Sequence, residues 1–137
     1  MSEPQKYPTT TAHFKNFQDE VGHWLHLLGL TGWRVEFAHE PIEARAECRF
    51  NLSGRVAVLV LATEFENLEP TEQNVRRSAF HEVWELAFAR VWDTANRSDL
   101  TPGQRQDLME EAQHELIRIL ENTMWDEDWG NRYEVAP

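Results

Sequence analysis

The spacing of the hydrophobic residues changes twice along this chain, and that change limits the possible folds more than any other feature. Over residues 13–30 they recur every three or four positions, which predicts an amphipathic helix that begins near Thr10 or Thr11. From Trp33 they alternate with polar residues, as in half-buried strands, and after Glu72 the helical spacing returns. This order predicts an α+β fold with an N-terminal helix, a three-stranded sheet and two C-terminal helices.

The three strands are predicted over residues 33–37, 44–50 and 55–62. The third reads R-V-A-V-L-V-L-A and is apolar on both faces, which is typical of a strand in the interior of a sheet. We therefore expect it to be the most buried strand, packed by the helix stripes that contain Trp84 and Leu116.

Two helices are predicted after the sheet. The first covers about Glu72 to Asp93. The second starts at Thr101-Pro102, which is typical of a cap followed by the first helical residue, and it ends near Met124.

The chain is long enough for one domain, which we place at residues 12–125. Residues 1–11 contain two prolines and three threonines and are expected to be a polar lead-in before ordered structure begins. Residues 126–137 are acidic and aromatic, and we expect them to form either a docking tail or a frayed end.

Composition excludes several classes of protein. Acidic side chains outnumber basic ones by 24 to 13, and the net charge of −11 disfavours binding to nucleic-acid phosphates. The longest apolar run, Val56 to Ala62, is too short to cross a membrane, and the N-terminus has no signal-peptide core, so we expect a cytoplasmic protein. The single cysteine, Cys48, excludes an internal disulfide and is expected to be a small buried side chain.

The segment A-F-H-E-V-W-E-L, residues 79–86, is the one local pattern with a chemical mechanism behind it. In H-E-x-x-H peptidases the two outer side chains lie on one helix face and share a zinc ion, while the glutamate after the first histidine activates water. Here His81 and Glu85 are the outer pair, and Glu82 holds the position of the base. Glutamate is also a zinc ligand, so the pattern is compatible with a Zn²⁺ site. The same spacing suits a plain hydrogen bond between His81 and Glu85, and both interpretations stay open.

A helical wheel gives these three side chains different surroundings. With Trp84 at the centre of the apolar stripe, His81 lies at roughly 60°, Glu85 at roughly 100° and Glu82 at roughly 160°. His81 and Glu85 are therefore expected at the border of the apolar face, where a metal ion or an ion pair is partly desolvated. Glu82 is expected farthest from that face.

A mononuclear site needs a third protein ligand, and the predicted last helix offers Glu110, Glu111, His114 and Glu115. Glu111 and His114 form an i, i+3 pair of the kind found in helix-bundle metal sites. With Leu116 at the centre of the stripe, however, both fall nearly opposite the core, at roughly −140° and 160°. They reach the site only if that face packs against another element.

The layout of the chain resembles a family of small zincin-like metallopeptidases encoded by bacteriophages. The resemblance rests on L-G-L-T-G-W-R-V-E-F at residues 28–37, V-R-R-S-A-F-H-E-V-W-E-L at residues 75–86, and E-E-A-Q-H-E-L-I-R-I-L-E-N at residues 110–122. It implies a minimal zincin fold, a viral protein acting in the host cytoplasm, and zinc held by His81 and Glu85 with Glu82 as the base. Glu85 in place of the second histidine implies weak or absent hydrolysis, because an anionic ligand reduces the positive charge of the metal.

The charge of the chain points to a second class of function, a binding protein. Acidic residues cluster before the second helix, and aromatic residues that suit interface anchors follow in the acidic C-terminal part; the residues concerned are Glu64, Glu66, Glu69, Trp125 and Trp129. We expect them to bind a protein partner, as an inhibitor or a nucleic-acid mimic does, rather than nucleic acid or a membrane. The zinc-dependent hydrolase and a structural subunit of a viral assembly remain the alternatives.

Overall fold

The computed structural model describes residues 3–133 of the chain and has the α+β architecture that the sequence predicts. Its elements follow in the order β1 (Lys6–Pro8), α1 (Thr11–Leu27), β2 (Arg34–Glu40), β3 (Ala46–Asn51), β4 (Val56–Ala62), β5 (Glu64–Glu66), α2 (Glu72–Ala87), α3 (Ala89–Asn96), α4 (Pro102–Leu120), a π-helical segment (Glu121–Trp125) and α5 (Asp126–Tyr133). The strands form two small sheets, the predicted three-stranded one and a pair made by β1 and β5.

β4 is the middle strand of the three-stranded sheet, whose order is β2-β4-β3. β2 runs parallel to β4, with Val35 opposite Ala57, and β3 runs antiparallel to it, with Cys48 opposite Leu59. Residues 59–62 of β4 are completely buried. The prediction that this strand is the most buried and lies inside the sheet is confirmed.

The core lies where α1 and α2 pack together against the sheet. Phe17 of α1, Leu61 of β4 and Val83 of α2 are among its largest completely buried side chains. Burial of each such side chain is worth about 1.5–3 kcal/mol. Trp84 and Leu116, which were expected at the centres of the packing stripes, are only partly buried and lie at the edge of this core.

Threonine caps determine where three of the helices begin. Thr10, Thr71 and Thr101 each accept a hydrogen bond from the backbone amide three residues further on, at 3.2 Å. At Thr10 and Thr101 the side chains of His13 and Gln104 accept a reciprocal bond from the backbone amide of the cap residue. Such caps contribute about 1 kcal/mol each, and they start α1, α2 and α4 close to the predicted positions.

The polar lead-in predicted for residues 1–11 contains a short strand. β1 pairs with β5 in antiparallel fashion, with Tyr7 opposite Phe65, and Phe65 is completely buried. Ordered structure therefore begins earlier than predicted, because a three-residue pairing leaves almost no periodicity in a sequence. Residues 1–2 of the lead-in and residues 134–137 of the predicted tail lie outside the described residues.

The single helix predicted from Glu72 to Asp93 is instead two helices. α2 ends at Ala87 and α3 begins at Ala89, with Phe88 between them at φ −88° and ψ 2°. Apolar residues continue at helical spacing across this point, so the break is hidden in the sequence pattern. Further along, α4 continues through the π-helical segment into α5, so residues 126–133 of the predicted tail are helical rather than frayed.

Candidate metal centre

α2 presents the residues of the H-E-x-x-E pattern to a groove beside the sheet. The groove has a volume of about 1180 Å³ and lies between α2, residues 43–46 at the start of β3, and residues 66–68 after β5. α2 packs against β3 beside this groove. The packing of its buried face in the core therefore determines that the side chains of the H-E-x-x-E pattern reach the groove.

His81, Glu82 and Glu85 converge in this groove. One nitrogen or oxygen atom from each lies within 4.8 Å of the others. The Nε2 atom of His81 is 3.4 Å from Oε1 of Glu85, and both side chains are largely exposed. The i, i+4 spacing thus brings the outer pair together on one helix, as expected, and the contact also fits a plain histidine–glutamate pair.

Glu82 is the unusual member of the cluster, because it is only 5% exposed. Burial, a hydrogen bond with Glu85 and the negative charges of Glu85 and Glu47 raise the pKa of the Glu82 carboxyl to about 8. Its Oε2 atom is buried and has no hydrogen-bond partner among the described residues. A buried carboxylate oxygen without a partner is costly, so this position favours either a bound proton or a cation.

The burial of Glu82 corrects the helical wheel. The wheel was centred on Trp84 and placed Glu82 farthest from the apolar face, whereas the structure buries Glu82 and exposes His81 and Glu85. The face of α2 that enters the core carries Val75, Ala79, Val83 and Leu86 instead. The alanine and valine side chains on this face are small and allow α2 to approach its neighbours closely. In this helix they indicate the buried face better than the large aromatic residues do.

Phe80, Trp84 and Phe88 form one wall of the groove. Their rings follow one another along the helix, with centroids 6.3 Å and 6.0 Å apart, and Phe80 also contacts Trp24 of α1 with centroids at 4.7 Å. Phe80 and Phe88 are exposed, at 38% and 46%. The groove therefore combines an aromatic wall with carboxylates, which the sequence pattern alone did not reveal.

The negative charges of this cluster also act on Cys48 of β3. Burial and the negative charges of Glu82 and Glu85 raise the pKa of the Cys48 thiol to about 12. The thiol is therefore neutral at physiological pH, but Cys48 is only half-buried, so the prediction of a small buried side chain is confirmed in part.

The structure does not bring Glu111 or His114 to the cluster. Glu111 and Glu115 of α4 face Arg90 of α3, with distances of 4.0 Å and 2.9 Å to the guanidinium. His114 is exposed on α4. Within residues 3–133, His81, Glu82 and Glu85 are the one group of three metal-ligating side chains that meet.

The residues predicted to bind a protein partner lie on two separate elements. Glu64 and Glu66 flank the buried Phe65 on β5, and Glu64 lies 3.6 Å from the Lys6 ammonium. Trp125 and Trp129 are at the other end of the chain, 53% and 43% exposed, with ring centroids 5.7 Å apart. Glu69 is exposed in the turn before α2.

The chain matches no protein-family model, no curated protein and no solved structure. Among the helices of residues 3–133, none combines the length and the apolar character needed to cross a membrane.

Proposed function

We propose that this protein is a zincin-like metal-binding protein, in which His81 and Glu85 hold a divalent ion, zinc foremost, and Glu82 is the proton-accepting group of a weak hydrolase. One observation carries the proposal: three ligand atoms within 4.8 Å of one another, one of them on a buried and incompletely hydrogen-bonded carboxyl. The order of helix, sheet, motif helix and later helix is in keeping with the minimal zincin fold that the sequence resembles.

The residues present fit such an ion. The imidazole of His81 and the carboxylate of Glu85 are donors that zinc accepts, and a cation beside Glu82 removes the penalty on its ionised form. A bound zinc ion supplies Lewis-acid polarisation of a substrate carbonyl. Glu82 accepts a proton from water only when it is ionised, so a bound cation that lowers its raised pKa would also favour its action as the base. The anionic Glu85 weakens the polarisation, which is why we propose weak hydrolysis.

Calorimetric titration with zinc tests the metal site. His81→Ala and Glu85→Gln should each weaken binding at least about tenfold, because each removes one ligand. His114→Ala is the matched control: it removes an exposed histidine from α4 and should leave the affinity within about twofold. Equal losses in all three variants, or equal binding by all of them, would contradict the site.

Glu82→Gln tests the hydrolase separately from the metal. The amide keeps the shape of the carboxyl but cannot accept a proton, so a zinc-loaded variant should lose turnover of fluorogenic peptides while it still binds zinc. If the wild-type protein shows no turnover either, the hydrolase assignment fails and metal binding alone stands.

A second candidate function is the binding of a protein partner through the acidic, tryptophan-containing surface. It is favoured by Met124 and Trp125, which are 66% and 53% exposed in a protein of net charge −11. Large apolar side chains surrounded by charge are typical of interfaces. If this function is the main one, Glu82→Gln should be nearly silent in a functional assay, and removal of Trp125 and Trp129 should have the larger effect.

A further inference from the structure

α4 and the helical chain after it have an apolar face turned away from the core. This face, called the outer stripe, consists of Ile117, Leu120, Met124 and Trp125, which are 42%, 42%, 66% and 53% exposed. Trp129 continues it on α5 at 43%. At 1.5 Å per residue the stripe from Ile117 to Trp129 is about 18 Å long, the length of a typical helix contact.

The same helix has a second apolar face that is already used. Ala112 and Ile119 are buried at 1% and 5% exposure, and Ile119 belongs to the core. At 100° per residue, Ile119 lies roughly 160° from Ile117, whereas Leu120 lies only about 60° from it. One apolar face is enough to attach a helix to its own core, so the outer stripe has a different use.

The π-helical segment keeps the outer stripe together. In an uninterrupted α-helix, Trp129 would be rotated roughly 120° away from Ile117. The amide of Asp126 instead donates to the carbonyl of Glu121, five residues back, and this wider turn reduces the rotation. Trp125 and Trp129, four residues apart, lie within ring contact of each other, with centroids 5.7 Å apart.

The charges beside the outer stripe are mostly acidic. The exposed acidic residues of this part of the chain are Glu121, Asp126, Glu127 and Asp128, against the two cations Arg118 and Arg132. Arg132 pairs with Asp128 at 2.7 Å and lies over the Trp125 ring at 5.9 Å. A second copy of this chain would bring the same acidic residues against these, and an anionic membrane would be repelled as well.

We infer that the outer stripe binds a basic amphipathic helix of another protein, whose apolar face covers Ile117, Leu120, Met124 and Trp125 while its lysines or arginines pair with the acidic residues alongside. Helix-against-helix recognition through anchors three, four and seven residues apart is a common binding mode, and Ile117, Leu120 and Met124 have that spacing. The inference rests on the second candidate function and specifies the class of partner.

The probe is a synthetic 18-residue peptide of leucine and lysine, arranged so that one helical face is apolar. A peptide of the same composition with the leucines spread around the helix is the first control. Calorimetry at physiological ionic strength should show that the amphipathic peptide binds the wild-type protein at least about tenfold more tightly than the scrambled one, since both peptides carry the same charge.

Two double variants of the protein complete the test. Leu120→Gln with Met124→Gln should lower the affinity for the amphipathic peptide at least about tenfold, because it removes the two central anchors without changing the charge. Leu27→Gln with Trp92→Gln is the matched control, since these side chains are 43% and 61% exposed on α1 and α3, and it should stay within about twofold. Circular dichroism of both variants checks that they are folded.

Three results would overturn the inference. The first is equal affinity for the two peptides, and the second is full affinity in the Leu120→Gln, Met124→Gln variant. The third is sedimentation as a dimer that this variant abolishes, because a second copy would then cover the stripe. Loss of affinity on charge reversal of Glu64, Glu66 and Glu69 alone would also overturn the inference, because the binding site would then lie elsewhere on the protein. Failure of the zinc titration would not affect these peptide-binding tests, because they do not involve the metal site.

Discussion

β4 and the outer stripe of α4 are both rich in large apolar side chains, yet their surroundings differ completely. Leu59 and Leu61 of β4 have no exposed surface, since the sheet and α2 enclose them. Leu120 and Met124 of the stripe are 42% and 66% exposed. Hydrophobic content alone therefore does not distinguish buried core residues from exposed ones, and the difference lies in how many neighbouring elements reach each side chain.

The charged residues of the two regions show the opposite contrast. The stripe keeps its carboxylates in solvent, whereas the core region contains Glu82, which is 5% exposed and has one unpartnered oxygen. A group of this kind lowers the stability of the folded state when it ionises. Its position inside an otherwise apolar helix face is consistent with the metal site that we propose.

The largest effect should come from truncating one leucine in each region. Leu59→Ala should lower the free energy of unfolding by about 3–5 kcal/mol, because it leaves a cavity in a closed environment. Leu120→Ala should lower it by less than about 0.5 kcal/mol, because solvent already reaches that side chain. Urea denaturation of both variants measures the contrast, and similar losses would show that the stripe is buried in solution.

The second effect concerns pH and Glu82. In the folded protein the pKa of this carboxyl is raised from 4.5 to about 8, so the folded state holds a proton that the unfolded state has released between these values. The free energy of unfolding should therefore fall as the pH rises from about 5 to above 8, by at most roughly 1.4 kcal/mol for each unit between the two pKa values.

Glu82→Gln removes the titrating group and keeps its size. In metal-free buffer the variant should show a nearly flat free energy of unfolding over the same pH range. It should also be more stable than the wild type above pH 8, because the folded state no longer carries a buried charge. If the variant keeps the full pH dependence of the free energy of unfolding, other residues cause that dependence. The evidence for a raised pKa of Glu82 in the groove would then be lost.

The smallest effect tests whether the helix that carries the stripe unfolds with the core. Thr10 and Thr101 make the same kind of capping box, on α1 and on α4. Thr10→Ala and Thr101→Ala should each cost about 1 kcal/mol in global unfolding, since Arg90 and Ile119 attach α4 to the rest of the protein. No loss for Thr101→Ala would mean that α4 unfolds independently.

Much of the fold follows from the sequence because the relevant signals are local. Caps at Thr10, Thr71 and Thr101 and the apolar run of β4 depend on neighbouring residues only. The pairing of β1 with β5 was missed because it joins residues far apart in the chain and involves only three positions. The break at Phe88 was missed because both flanking segments are helical.

The sequence predicted the contact within α2 at the candidate site, but not the packing of α2 and α4 against other elements. The spacing of His81 and Glu85 predicted their contact, since both lie on one helix. The burial of Glu82 depends on which face of α2 meets the core. The helical wheel took the side with the aromatic residues Phe80 and Trp84 for the core side, but this side faces the groove. The placement of Glu111 depends on Arg90, and no periodicity in either helix reveals that pairing.

The strand order β2-β4-β3 also determines how the molecule assembles. β3 and β4 are joined by the short turn at residues 52–55, so this hairpin closes within microseconds. β2 precedes both, yet its only partner among the described strands is β4, where Arg34 lies opposite Val56. Pairing of β2 with β4 closes a longer loop than the hairpin does and costs more entropy, so we expect β2 to pair after the hairpin. Until it pairs, β2 has unpaired backbone groups, and we therefore expect it to be the strand of this sheet that is most open to association with other chains during folding.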